Sequence, residues 1–244
     1  MDIRQIVMVS ELRDPIVQDL SNLFGFEVAF HDPGVSHFGL ENAVIPIGTD
    51  FLEVVSPVEE NTTAGRFIKK RNGDGGYMVI IQVDDFDLSK SLVKEHGIGV
   101  VWETDLPEAK AIHLHPKEMG GAILSLDWMN PKESWKWAGP DWKNHISGHV
   151  KAIDGVEIQS SDPEDMFKSW YKVLGNVSAD PESRSILLDN TWLRFVEDLD
   201  GRGAGVSAFS IKVDEPKAII DKARNLGFIY DGEIIIGGVK FYLA

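Results

Sequence analysis

The sequence predicts an α+β protein made of four consecutive units, each a β-strand followed by an α-helix and about three further strands. Four short runs of β-type residues are each followed by acidic residues and then by a helical pattern, at positions 6–14, 78–85, 156–165 and 208–215. Short apolar runs separated by turn residues follow each helical pattern, which is typical of further strands. The same order of elements therefore recurs four times along the chain.

The helix of each unit is predicted from apolar residues at helical spacing. In the first helix these are Ile16, Val17, Leu20 and Leu23, and in the third they are Met166, Phe167, Trp170 and Val173. Asp and Ser residues before the helices can accept hydrogen bonds from free N–H groups of a first turn. Gly25 and Gly175 are predicted to end the first and third helices, because glycine adopts the left-handed conformation of a helix end without strain.

Two spacings indicate that the chain is a duplicated pair of units. Val-Asp-Asp at 83–85 and Val-Asp-Glu at 213–215 each begin a helix, and each is followed by a glycine pair before a final strand. The sequence thus predicts a first half at 1–130, a connector at 131–149 and a shortened second half at 150–244.

Four of the seven tryptophans lie in or beside the connector: Trp128, Trp135, Trp137 and Trp142. A freely solvated linker would expose too much apolar area with this composition. We expect the tryptophans to pack between the two halves or between subunits; the alternative is a lid over a ligand.

Composition and charge exclude several classes of function. The 244 residues carry 39 Asp and Glu against 24 Lys and Arg, a net charge of −15, which disfavours nucleic acid and membrane surfaces as partners. The chain has no cysteine, which excludes disulfides, thiolate metal sites and a thiol nucleophile. Its start lacks the pattern of a signal peptide and no segment approaches the ~20 apolar residues of a membrane span, so a cytoplasmic protein is expected.

The order of elements and several local stretches resemble the vicinal oxygen chelate superfamily, which includes glyoxalases, extradiol dioxygenases and epimerases. The stretches FLEVVSP (51–57) and HPKEMGGAILSL (115–126) are similar to the ends of a first and second unit of the epimerase type, and 38–48 with 65–85 resemble glyoxalase-like sequences. The resemblance implies that each pair of βαβββ units forms a curved mixed sheet, a cup for a small molecule. The second half is expected to be degenerate.

The resemblance also implies four positions for the ligands of a divalent metal. They fall on Gln5, or Arg4 after a shift of one residue; on Glu53; on Met78, or Tyr77 after a shift; and on Ser125. Met and Ser are poor ligands for Mg²⁺, Mn²⁺, Ni²⁺ or Zn²⁺, so the sequence predicts an incomplete metal site of Gln5 and Glu53. In the second half the positions fall on Gly155, Arg194, Ala208 and Tyr242, which form no ligand set, so this half is expected to be structural or to bind without metal.

Glu53 is the strongest single candidate for a catalytic residue. On a strand it shares one face with Phe51 and Val55, whereas Leu52 and Val54 take the other. A carboxylate on such a face loses hydration, which raises its pKa toward the range of a general acid or base. The alternative is an acid at a strand edge, solvated and inert.

Other polar residues are weaker candidates for a functional role. His113 and His115 alternate with Leu114, so on a strand both imidazoles would share a face, although a structural role is favoured for the pair. Gln5, Tyr77 and Ser125 could orient a carbonyl or hydroxyl of a ligand. The densest basic run contains Arg66, Lys69, Lys70 and Arg71, which could hold an anionic group such as a phosphate, although a solvated helix face is the more ordinary interpretation.

Three functions are compatible with the sequence. In the first, an isomerase or lyase moves a proton on a carbon next to a carbonyl, with Glu53 as base and Gln5, Tyr77 or His115 stabilising the oxyanion. In the second, the cup sequesters a small molecule without changing it, as antibiotic-resistance members of the superfamily do. In the third, degenerate cups stabilise a homodimer. A small molecule is the expected partner, and neither its identity nor a cofactor follows from the sequence.

Overall fold

The computed structural model describes residues 1–175 and 177–244 and contains the four predicted units. The first unit comprises β1 (Asp2–Val9), α1 (Arg13–Phe24), β2 (Leu40–Ile47) and β3 (Asp50–Pro57). A further helix, α2 (Thr63–Arg71), leads to the second unit, which comprises β4 (Gly75–Gln82), α3 (Phe86–Glu95), β5 (Val100–Asp105), β6 (Ala109–Leu114) and β7 (Ile123–Met129). The first unit thus has two further strands; a 3₁₀-helix at Pro33–Phe38 precedes them.

The second half repeats this order with shorter strands. The third unit comprises β8 (Val150–Ser160), α4 (Pro163–Leu174), β9 (Ser178–Asp180), β10 (Ser185–Leu187) and β11 (Trp192–Glu197). The fourth comprises β12 (Gly205–Val213), α5 (Pro216–Leu226), β13 (Ile229–Tyr230), β14 (Glu233–Ile236) and β15 (Val239–Leu243). The predicted helix ends are confirmed at Gly25 and Gly175; Gly25 is left-handed, with φ 71° and ψ 27°, whereas Gly175 has φ 73° with ψ −138° and lies outside that conformation.

Each half is a mixed sheet whose two central strands are antiparallel. The strand order is β2-β3-β1-β4-β7-β6-β5 in the first half and β9-β10-β11-β8-β12-β15-β14-β13 in the second. The halves meet where Gly76 of β4 pairs with Val206 of β12. A Cβ added to Gly76 would lie 2.5 Å from the Val206 Cβ, so this close approach of two strands requires glycine. The α+β fold class with two mixed sheets is confirmed.

Two hydrophobic clusters lie on opposite faces of the first sheet. The larger one packs α1, α3, α4 and α5 against the sheets of both halves. The smaller one belongs to the first half and its connector, and we call this face the first cup. Its core consists mainly of Val7, Val9, Val44, Phe51, Val55, Tyr77, Met78, Ile80, Ile123, Trp135 and Trp142. No helix among the described residues is both long and apolar enough to span a bilayer.

Candidate active site

Glu53 lies inside the first cup. Its neighbours Phe51 and Val55 belong to the cluster of this cup, whereas Leu52 and Val54 pack on the helix side of the sheet. Glu53 is only 7% exposed. The alternation predicted for this strand is therefore confirmed, and it buries the carboxylate among apolar side chains.

Two neutral amides hold the Glu53 carboxylate. The Nδ2 of Asn42, on β2, donates to Oε1 at 2.6 Å, and the Nε2 of Gln5, on β1, donates to Oε2 at 2.7 Å. Burial raises the pKa of Glu53 to about 7, the two hydrogen bonds oppose this rise, and the charge of Asp32 adds to it. At neutral pH the carboxyl group is therefore close to half ionised.

Two β-bulges lie at the two positions where the sequence allowed either of two neighbouring residues as a ligand. The register between β1 and β4 shifts at Arg4, and again beside Tyr77. A bulge lets two consecutive side chains turn toward one face. Arg4 and Gln5 both lie against the first cup, and Tyr77 and Met78 both belong to its core.

The connector fills the first cup. Trp135 and Trp142 are 1% and 6% exposed, and their rings lie 5.9 Å and 5.1 Å from the ring of Phe51. The Nε1 of Trp135 donates to the Oε1 of Gln5 at 2.6 Å, so one chain of hydrogen bonds joins the connector to Glu53. The expectation that these tryptophans pack between the halves is wrong for Trp135 and Trp142, because the apolar face that receives them is the cup itself.

Asp127 is a second buried acid of this cup, and sequence reasoning missed it. It is 2% exposed and accepts hydrogen bonds from the Ser125 Oγ and, at 2.7 Å, from the Trp137 Nε1. Burial raises the pKa of Asp127 to about 7. On β7 the polar Ser125 and Asp127 alternate with Leu124 and Leu126. This alternation could have identified Asp127 in the sequence as a residue of the cup.

The two histidines do not share a strand face. β6 ends at Leu114, so His115 lies in the following turn, where its Nδ1 accepts the backbone N–H of Lys117 at 3.2 Å. His113 lies opposite Ser125, with its ring 4.5 Å from that of Trp102. Burial lowers the pKa of His113 to about 4, so it is neutral at physiological pH.

The basic run forms α2, and its members point in different directions. Arg66, Lys69 and Lys70 are exposed, and Arg66 donates to the backbone oxygen of Asn61. Arg71 is 1% exposed and donates to the backbone oxygen of Gly203 in the second half. None of these side chains is hydrogen-bonded to Glu53 or its amide partners.

The donor set of the first cup does not fit a divalent metal. Among residues 1–175 and 177–244, no group of three or more His, Asp or Glu side chains is placed to hold one. Gln5 uses its amide nitrogen on Glu53 and its amide oxygen on Trp135, while Met78 packs in the apolar core. Ser125 is engaged with Asp127, so the four positions implied by the resemblance offer one carboxylate and no imidazole.

The paired βαβββ units are those of the vicinal oxygen chelate fold. The family model described as "Glyoxalase-like domain" matches residues 6–174. Because this match covers more than half of the chain, the chain belongs to the glyoxalase-like domain family. The resemblance inferred from the sequence is confirmed.

Individual relatives agree with this family. Mitochondrial methylmalonyl-CoA epimerase of Bos taurus is 28% identical over 113 residues, which cover 43% of this chain and 62% of that protein. A 4-hydroxymandelate synthase variant from Streptomyces coelicolor is 15% identical, with a TM-score of 0.68 over 93% of this chain and 74% of that chain. A hypothetical protein from Staphylococcus aureus is 12% identical, with a TM-score of 0.66 over 99% of this chain and 98% of that one. The two structures show that the fold is shared over both halves.

Proposed function

We propose that this protein is an isomerase-type enzyme that moves a proton on a carbon next to a carbonyl group, with Glu53 as the base. The observation that carries the proposal is the environment of Glu53, a carboxylate with a pKa of about 7 buried on the floor of a cup. Such a pKa suits a base that must both take and return a proton near neutral pH. The relative named as an epimerase, an isomerase, supports the same reaction class.

The hydrogen bonds around Glu53 leave it able to react. Each carboxylate oxygen has two lone-pair positions, and each accepts one amide hydrogen in the structure. The amides fix the orientation of the carboxylate while one lone pair stays free for the C–H proton. The electron pair of that bond moves to the carbonyl oxygen, and the proton returns to carbon in the second step.

Tyr77 is the best candidate for stabilising the enolate oxygen that forms. Its side chain belongs to the cluster of the first cup, and its hydroxyl forms no hydrogen bond with the residues that the structure describes. Burial raises the pKa of Tyr77 to about 12, which keeps the hydroxyl protonated and able to donate. His115, fixed in its turn, has no part in the proposed reaction.

Substrate must displace part of the connector to reach Glu53, because Glu53 is only 7% exposed and the buried Trp135 is hydrogen-bonded to its partner Gln5. The proposal therefore assigns to residues 131–149 the role of a lid. Opening exposes apolar surface of the cup, and a bound substrate covers it again.

Solvent exchange tests the proposal. Methylmalonyl-CoA, chosen from the name of the relative, is incubated with the protein in D₂O, and deuterium at its C2 carbon is measured by mass spectrometry. We expect incorporation whose rate rises with pH to a plateau above about pH 7, as Glu53 ionises, and a loss of about 100-fold or more in Glu53→Gln. Glu157→Gln in the second half serves as the matched control and keeps the rate. Exchange that persists in Glu53→Gln would contradict the assignment.

The filling of the cup favours a second candidate, a protein that binds a small molecule and leaves it unchanged. In this case the amides of Asn42 and Gln5 hold the Glu53 carboxylate as part of a binding floor rather than as a base. A ligand that binds stoichiometrically, shows no deuterium at carbon and is recovered unaltered would identify this function.

A further inference from the structure

Asn42 is a buried polar residue of β2 that sequence reasoning did not single out. It is 2% exposed, and both ends of its amide are hydrogen-bonded. The Nδ2 donates to the Oε1 of Glu53 at 2.6 Å, and the Oδ1 accepts the backbone N–H of Asp32 at 2.8 Å. Asp32 is itself held in place, because its carboxylate accepts the N–H of Gly34 at 2.8 Å and caps the 3₁₀-helix at Pro33–Phe38.

The backbone N–H of Asp32 decides which end of the Asn42 amide faces Glu53. A backbone N–H can only donate, so the oxygen of Asn42 must face Asp32 and the nitrogen must face the acid. If the amide were rotated by 180°, two donors would oppose each other at Asp32, and two acceptor oxygens would oppose each other at an ionised Glu53. Unsatisfied polar groups are costly in a buried site. Asn42 is therefore locked as a donor to Glu53.

The second amide partner of Glu53 is locked by a group that can leave. The Oε1 of Gln5 accepts the Nε1–H of Trp135 at 2.6 Å, and an indole N–H, like a backbone N–H, can only donate. In the proposed function the connector withdraws when substrate enters, so Gln5 then loses its lock and its amide can rotate. Asn42 keeps its lock, because Asp32 lies in the first half and precedes β2.

We infer that Asn42 is a positioning residue for the base: its locked amide keeps a hydrogen-bond donor on the Oε1 of Glu53 whether the connector is closed or open. This inference rests on the proposed function for the role of Glu53 as base. It separates the two amides, since Asn42 orients the carboxylate throughout the reaction while Gln5 is released with the connector. A hydrogen bond to the charged form of a buried acid also stabilises that form.

The loop before β2 acts on Glu53 in two opposing ways. The hydrogen bond from Asn42 lowers the pKa of Glu53, whereas the charge of Asp32 raises it. The other ionisable side chains on the strands and the loop around this cup are Arg4, His31, Asp50, Tyr77 and Asp127. The Asp, Glu and Lys side chains of the connector are all exposed. Within the described residues, Asp32 is the group whose charge acts on the pKa of Glu53.

Carbon-13 NMR of the Glu53 carboxyl group tests the inference without a substrate. The protein is labelled with glutamate carrying carbon-13 at Cδ, and the resonance is assigned from its absence in Glu53→Gln. The wild type is expected to titrate with a midpoint of about pH 7. Asn42→Leu, which keeps a γ-branched side chain without the donor, is expected to raise this midpoint by about one pH unit or more.

Three further variants sharpen the titration. Asp32→Asn keeps the backbone N–H and removes the charge, so the midpoint should fall. Glu41→Gln removes the same charge from the exposed neighbour of Asn42 and is the matched control, with an unchanged midpoint. Asn42→Asp keeps an acceptor for the Asp32 N–H but places a second carboxylate against Glu53, so the midpoint should rise further. This isosteric variant carries the test if Asn42→Leu does not fold, which circular dichroism melts show.

The pH profile of deuterium exchange distinguishes positioning from a merely structural role. Asn42→Leu is expected to lose about fivefold or more of the rate at pH 7 and to recover by about pH 9, because a smaller fraction of Glu53 is ionised at pH 7. A loss that is equal at all pH values would overturn the inference. A midpoint that stays at the wild-type value in the folded Asn42 variants would also overturn it.

The NMR titration separates this inference from the proposed reaction. A protein that shows no exchange, but whose Glu53 midpoint rises in Asn42→Leu, would refute the reaction and support the orienting role of Asn42. Exchange that depends on Glu53 while its midpoint ignores Asn42 would do the reverse. A shift in Glu41→Gln as large as that in Asp32→Asn would contradict the action of Asp32 on Glu53.

Discussion

The buried carboxylates of the two halves differ in the groups that contact them. In the first cup, neutral amides hold Glu53, and Asp127 is held by a serine and an indole. In the second half the corresponding face carries Glu157, whose carboxylate accepts the Nε of Arg194 at 2.7 Å and the hydroxyl of Tyr242 at 2.8 Å. The first cup thus leaves its charges unpaired, whereas the second neutralises its acid with a cation.

The partners of the two acids make this difference, since Glu53 and Glu157 are similarly buried, at 7% and 8% exposed. The connector buries Trp135 in the first cup, whereas the Arg194 side chain of the second is 44% exposed and its guanidinium carbon lies 5.0 Å from the ring of Trp192. Removing water raises the pKa of an acid unless a cation compensates. Arg194 and Tyr242, two of the second-half positions that the resemblance implied, are engaged in this network. Burial without pairing therefore distinguishes the first cup as the candidate site.

The largest effect on the free energy of unfolding is expected when a buried tryptophan of the connector is truncated. Trp135→Ala leaves a large cavity against Phe51 and is expected to lower the free energy of unfolding by about 3 to 5 kcal/mol. Trp192→Ala, which truncates a half-buried ring of the second face, is expected to cost about 1 kcal/mol. Urea denaturation followed by circular dichroism measures both. A cost below about 1 kcal/mol for Trp135→Ala would show that the connector does not fill the cup in solution.

The buried acids predict that stability falls as pH rises. The pKa of Asp127 is about 7 in the folded protein and near 3.8 in the unfolded chain, so between these values the folded state holds a proton that the unfolded state has released. In Asp127→Asn the amide can donate to Ser125 and accept from Trp137, so the packing is kept. We expect this variant to be more stable than the wild type at pH 8 by about 1 to 3 kcal/mol, with no such gain at pH 4. An equal effect at both pH values in urea titrations would contradict the burial of an ionisable group.

The titration of His113 predicts that stability changes with pH in the opposite direction over part of the same pH range. Its pKa is about 4 when folded against 6.5 in the unfolded chain, so stability is lost as pH falls from about 6.5 to 4. His113→Phe, which keeps a ring beside Trp102, should remove about 1 to 2 kcal/mol of this loss. Proton NMR of the imidazole measures the titration directly. An imidazole that titrates near 6.5 would show that His113 is solvated.

The smallest effect is expected at the paired network of the second half. Arg194→Ala removes a half-exposed ion pair with Glu157, for which about 0.5 to 1 kcal/mol is expected. A double-mutant cycle with Tyr242→Phe isolates the coupling through the shared carboxylate. A loss above about 3 kcal/mol would contradict the half-exposed position of Arg194.

The sequence alone predicted much of this molecule because its evidence is local. Helical spacing, glycine ends and strand alternation depend on neighbours within one element, so the repeated units, the ends of α1 and α4, and the burial of Glu53 follow from them. Bulges are different, because the extra residue is defined by the partner strand. The bulges at Arg4 and beside Tyr77 were therefore not predicted.

Only the tertiary structure decided how the connector is used and which polar groups meet. Gln5 and Glu53 lie 48 positions apart, and Gln5 and Trp135 lie 130 apart, so no local pattern joins them. Asp127 gained its importance from Trp137, whose indole lies 10 positions away and donates to its carboxylate. By itself the sequence determined the order of elements and the inward face of each strand, because both follow from the short-range geometry of the backbone. The site depends on which faces are covered and which charges are left unpaired, and these arise only when distant segments pack together and exclude water.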